Sequence, residues 1–157
     1  MSATNFPDAI FKRDVLYGAR KVSVDQLTKL GNDFESGGWT SDAVDFLAQA
    51  KDTEGLKRIR AKSVEEGDTF LFLKASRSLG DLDSVSDQLR ICCENAAKAG
   101  KIRYAIKGYE KLGDEARADA LRATVADDGD IKAEAAAKKV FIPEHELEVE
   151  NESADAE

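Results

Sequence analysis

The sequence predicts an all-α fold of stacked antiparallel helical hairpins, about three repeats long. Three observations predict it. Pro7 and Pro143 are the only prolines, so nothing of that kind breaks a helix between them. Apolar residues in that stretch recur at spacings of three and four, the period of a helix face, with little of the alternation a strand needs. Glycine followed by Asp or Asn punctuates it at Gly31-Asn32, Gly67-Asp68, Gly80-Asp81 and Gly113-Asp114. At such pairs Gly stops one helix and the next side chain caps its successor.

In chain order, residues 1–14 are an N-terminal segment, residues 15–126 the helical domain, and residues 127–157 an acidic tail. Three segments of the domain superimpose without gaps: Gly38, Ala43, Asp52; Gly67, Phe72, Asp81; and Gly100, Ala105, Asp114. A weaker copy, Gly18, Ser23 and Asn32, lies only 20 residues before the first, so its second helix is expected to be short or missing. Counting Ala43, Phe72 and Ala105 as zero, offset +1 is Val44, Leu73 and Ile106. Offset +4 is Leu47, Ser76 and Tyr109, and offset +7 is Ala50, Leu79 and Leu112. These offsets make one helix face. Each copy continues into a second helix at the same spacing: Leu56, Ile59, Val64; Val85, Leu89, Cys92; Ala118, Leu121, Val125.

The run Tyr109 to Ala118, with Leu112-Gly113-Asp114 at its centre, resembles a tetratricopeptide-type helical repeat. Ser78-Leu79-Gly80-Asp81 and Lys29-Leu30-Gly31-Asn32 are similar to the same turn. The resemblance implies a right-handed α-solenoid and a protein-binding scaffold, its concave surface lined by the first helix of each hairpin.

Charge is divided unevenly. Residues 1–126 carry 20 basic and 20 acidic side chains, and residues 127–157 carry 3 and 11, so the tail holds the whole net charge of −8. Few apolar groups there offset ordering entropy, and the tail reads as disordered apart from a short helix over residues 131–139 and an apolar Val140-Phe141-Ile142-Pro143. An acidic chain argues against general nucleic-acid binding. No apolar run is long enough for a membrane span, and no basic-then-apolar leader opens the chain. Cys92 and Cys93 are adjacent, which strains a ring between them. They read as buried thiols in a reducing, cytoplasmic setting.

Catalysis is not expected. His145 is the only histidine, there is no Gly-rich phosphate loop, and Asp52, Asp81 and Asp114 sit where helices begin and capping explains them. No cofactor and no metal are expected; Glu144, His145 and Glu146 form only a weak, unselective set.

The face opposite the apolar stripe carries Phe70, Lys74, Arg77 and Ser78 on one first helix, then Arg103, Lys107, Glu110 and Lys111 on the next. Lys74, Arg77, Arg103 and Lys107 would form a basic strip suited to an acidic peptide. A third of all residues are charged, so an ordinary solvated face accounts for the same strip; the acidic tail, a potential competitor in cis, favours recognition. Phe70 is either an apolar anchor or part of a buried helix, and Phe70-Leu71-Phe72-Leu73 wraps right round a helix, which favours burial. Trp39 reads as a packing plug between repeats. The expected function is a non-enzymatic adaptor or chaperone-like module binding a protein or peptide. The alternative is an assembly subunit that oligomerises or docks on a larger complex.

Overall fold

The computed structural model describes residues 9–18 and 21–125. The expectations for residues 127–157 lie outside the described residues. The chain divides into two units, Met1–Arg122 and Ala123–Glu157, and the packing of helices belongs to the first.

Among the described residues there are eight α-helices and no strand: α1 Ala9–Leu16, α2 Val24–Ser36, α3 Thr40–Ala50, α4 Thr53–Glu66, α5 Thr69–Leu79, α6 Ser86–Lys98, α7 Ile102–Leu112 and α8 Glu115–Val125. A 3-10 turn, Leu82–Val85, leads into α6. No helix among them is long and apolar enough to cross a membrane. α1 runs across the expected boundary at residue 14, and its Val15 and Leu16 are buried.

The helix starts and stops follow local chemistry. Ser23 and Gln26 close a capping box on α2, and Asp52 and Asp68 accept backbone N–H groups at the starts of α4 and α5. Gly67 ends α4 at φ +65, with the backbone of Ala96 so close that a Cβ would not fit. Two of the four Gly-Asp or Gly-Asn pairs depart from the expected pattern. Gly31-Asn32 lies inside α2, where Gly31 is buried against the Leu47 side chain and lets α2 approach α3. Asp81 does not cap; both of its carboxylate oxygens accept from the buried Arg60 at 2.7 Å. A cation out of water needs a counter-charge more than a frayed 3-10 turn needs a cap.

The offsets account for burial. Ala43, Phe72 and Ala105 are fully buried, as are Val44, Leu47 and Ser76, while Leu73, Ile106 and Tyr109 are 5–9% exposed. Offset +3 belongs to the same face, since Phe46, Ala75 and Gly108 are buried too. Two apolar clusters result. One joins α1 to α4 around Leu47 and Phe46; the other joins α5 to α8 around Phe72, Leu89 and the two cysteines. Leu79 packs on the first and Leu112 on the second, each partly buried.

The weak copy is out of phase. The helix after Ser23 precedes α3 as α4 precedes α5, so α2 takes a second-helix place and α1 the place before it. The most extensive pairings are α2 with α3, α4 with α5, and α6 with α7, one helix earlier than the hairpins read from the sequence. Small residues account for two of these contacts: Gly31 faces Leu47 across α2 and α3, and Gly108 faces Cys93 across α7 and α6. Alternate helices also touch, α3 with α5, α5 with α7, and α4 with α6.

Trp39 is not a plug. It precedes the first turn of α3 and is 57% exposed, while the Phe34 and Phe46 rings, centroids 5.0 Å apart, fill the space between α2 and α3. Cys92 and Cys93 are buried as expected. Desolvation pushes both thiols up to about 12.

Candidate functional site

α5 and α7 lie side by side, and a groove of about 360 Å³ runs between them. α5 contributes Thr69, Phe70, Leu73 and Arg77, and α7 contributes Arg103, Tyr104 and Lys107. An adjacent pair, Thr69-Phe70 or Arg103-Tyr104, opens each set and the remaining residues follow at three or four, so each set lies along one side of its helix. Thr69 Oγ1 donates to the Tyr104 carbonyl at 2.6 Å and holds the two N-terminal ends level. Phe70, Tyr104 and Arg103 therefore start the groove. Lys107 follows one turn along, and Arg77 lies two turns from Phe70, about 10 Å at the helical rise.

Four of the five side chains expected to bind a partner, Phe70, Arg77, Arg103 and Lys107, line this one groove. Phe70 is not interior: it is 55% exposed, because Phe72 takes the buried phase and leaves Phe70 on the opposite side. The fifth, Lys74, does not line it. Its ammonium donates to the Ser41 carbonyl at 2.7 Å and pairs with Asp45 at 2.8 Å. Asp45 also pairs with Lys12 of α1 at 2.9 Å, and Lys12 reaches Asp42 as well.

The electrostatics follow from one offset. At +2 the first helices carry Asp45, Lys74 and Lys107. Opposite charges close the gap between α3 and α5; like charges cannot do so between α5 and α7. Lys107 turns to Glu110 of its own helix at 3.0 Å, and Lys107 and Arg122 together hold the Glu110 carboxyl below its ordinary range. No carboxylate pairs with Arg77 or Arg103 among the described residues. The groove thus has an apolar floor at Leu73, an aromatic mouth and cationic side chains, and no acidic side chain among the described residues lines it.

Tyr104 escaped the sequence reading. It sits at offset −1, and only the alignment of α7 against α5 brings it opposite Phe70; its position beside Arg103 and one turn before Gly108 was the available signal. Among the described residues no three His, Cys, Asp or Glu side chains gather as a metal set. Compared with known protein families, curated proteins and solved structures, the chain matches none.

Proposed function

We propose that this chain is a non-enzymatic helical-repeat interaction module, an adaptor or chaperone-like protein that takes an acidic segment of a partner in the α5/α7 groove. The helices build a short right-handed solenoid of the tetratricopeptide-like kind, with α3, α5 and α7 side by side in one layer. The pairwise contacts of alternate helices and the shared burial at offsets 0, +1 and +4 support that arrangement. Two adjacent cysteines, both buried, suit a cytoplasmic setting.

One observation carries the reading: exposed Phe70 and Tyr104 flank a groove whose guanidiniums, Arg77 and Arg103, have no carboxylate partner among the described residues, while the neighbouring gap is closed by Lys74 and Asp45. Surfaces that bind combine apolar anchors with a few convergent polar groups. A fluorescein-labelled peptide of glutamates around one phenylalanine should bind with a Kd that rises with salt. The double variant Arg77→Glu/Arg103→Glu should lose that binding while keeping its melting temperature. Equal binding by variant and wild type would leave the strip as an ordinary solvated face.

A second reading, an assembly subunit, draws on Val24, Trp39 and Ile91, which line no part of the groove and are 50–59% exposed. Light scattering after size exclusion decides it. A mass that grows with concentration and collapses on Trp39→Ser would favour assembly.

A further inference from the structure

The geometry points to a phosphotyrosine side chain as the groove's ligand, carried on a segment of a partner protein. This rests on the groove being an interaction site and adds what it selects. Two features argue for it. The first is the balance of donors and acceptors. Arg77 and Arg103 bring only donors with no carboxylate partner among the described residues, Lys107 keeps donors beyond its bond to Glu110, and the Thr69 hydroxyl is already spent on the Tyr104 carbonyl. A lining so rich in donors wants several acceptor oxygens on one group. A phosphate monoester offers three, and a charge of about −1.5 to −2 at neutral pH, where a carboxylate offers two and −1.

The second is spacing. The aromatic mouth and Arg77 lie two helical turns apart on α5, with Leu73 between them. A phosphoserine holds its phosphate close to its own backbone and would leave the apolar stretch unfilled. A tyrosyl phosphate sets the dianion a full ring's length further in. Its ring then lies on Leu73 between Phe70 and Tyr104, and its phosphate meets Arg77 and Lys107. Arg103, at the mouth, is left for an acidic residue flanking the phosphotyrosine.

The test uses the full chain and four fluorescein-labelled nine-residue peptides, identical except at the centre: phosphotyrosine, tyrosine, phosphoserine or glutamate, each flanked by glutamates. Fluorescence anisotropy should show the phosphotyrosine peptide binding about tenfold or more tightly than the other three, the scale of one charge-assisted hydrogen-bond pair. Arg77→Gln and Phe70→Ala should each remove most of that preference. Both side chains are exposed, and an unchanged melting temperature confirms that the fold is intact. Arg77→Lys should restore part of it.

If phosphotyrosine and glutamate peptides bind alike, and both lose affinity on Arg77→Gln, the phosphate inference fails and the groove stands as an acidic-peptide site. If phosphoserine matches phosphotyrosine, the ring has no place in the groove and the inference fails too. Phenyl phosphate that competes at the same concentration as the peptide would make the ligand a small aryl phosphate and overturn the partner segment. If no peptide distinguishes wild type from Arg77→Glu/Arg103→Glu, the groove reading falls with it.

Discussion

Gly108→Ala should destabilise this protein, although helix propensity taken alone favours the change by up to about 1 kcal/mol. Gly108 lies in the middle of α7, facing both α6 and α5. A Cβ built there would fall inside contact distance of Cys93 Sγ and 3.1 Å from Thr69 Cγ2. Neither neighbour has a loose end to move aside, because Cys93 is fully buried and Thr69 is 1% exposed. Forcing an extra methyl into a packed site costs about 1–3 kcal/mol, and an overlap this deep with two immobile neighbours belongs in the upper half of that range, so the loss net of the propensity gain should be roughly 1–2 kcal/mol. Urea unfolding followed by far-UV circular dichroism measures it. Removing the obstructing sulfur is the control. Cys93→Ala alone should cost about 1 kcal/mol as a small cavity, yet added to Gly108→Ala it should bring the penalty of the glycine change down below about 0.5 kcal/mol. The variant should also weaken peptide binding without altering any side chain of the groove, since Thr69 both meets the new methyl and ties α5 to α7. A Gly108→Ala protein as stable as wild type would refute the close approach of α6 and α7.

Three further outcomes concern buried polar groups. Ser76 Oγ is fully buried with no hydrogen-bond partner among the described residues, so Ser76→Ala should leave stability unchanged or raise it by up to about 1 kcal/mol; a loss beyond that would reveal a hidden partner. Asp81→Asn and Asp81→Ser would both be tolerated if Asp81 were a cap, but as the counter-charge of Arg60 each should cost about 2–3 kcal/mol in thermal or urea unfolding. The thiols make stability depend on alkaline pH. Their folded value of about 12 lies above the ordinary 9.0, so the unfolded chain gives up these protons first. Stability is then full below pH 9.0 and falls as pH rises toward about 12, and Cys92→Ala/Cys93→Ala should flatten that slope in urea midpoints taken across the range.

What the sequence disclosed and what it hid divide along physical lines. The phase of α3, α5 and α7 is written in their apolar offsets, because a helix must bury one face wherever it sits. Offset +3 was hidden because two of its three residues, Ala75 and Gly108, are too small to mark a face. Trp39 misled because a large apolar side chain reads as core, while the pair Phe34 and Phe46 had already filled the space. Asp81 misled because its position after Gly80 is a cap position, and only the fold brings Arg60 to it across 21 residues. At the site, the basic offsets were visible, and the groove gathers Arg77, Arg103, Lys107 and Phe70 for the reason that placed them: they share the side opposite the core. Lys74 shares that side as well, and its diversion was legible in Asp45, the opposite charge at the same offset one repeat earlier.

That diversion can be undone. Asp45 accepts from Lys12 at 2.9 Å and pairs with Lys74 at 2.8 Å, and all three side chains are about a quarter exposed. Asp45→Ala removes the one carboxylate that draws Lys74 away from the groove. Lys12 keeps Asp42, and Lys74 keeps only the Ser41 carbonyl and hydroxyl. Two partly exposed pairs are lost, so stability should fall by about 1–2 kcal/mol. The surface gains one positive charge beside Arg77, which lies one turn further along the same helix. An added partly exposed ion pair contributes about 0.2–1 kcal/mol, so a glutamate-rich peptide should bind up to about fivefold more tightly at low salt. The gain should fade as the Debye length shortens. Asp45→Ala/Lys74→Ala should return the affinity to the wild-type value while remaining less stable than wild type. Anisotropy titrations at two salt concentrations, with melting temperatures taken alongside, separate the two effects. If stability falls and affinity does not move, Lys74 belongs to the scaffold that joins α3 to α5, and recognition stops at Arg77, Arg103 and Lys107.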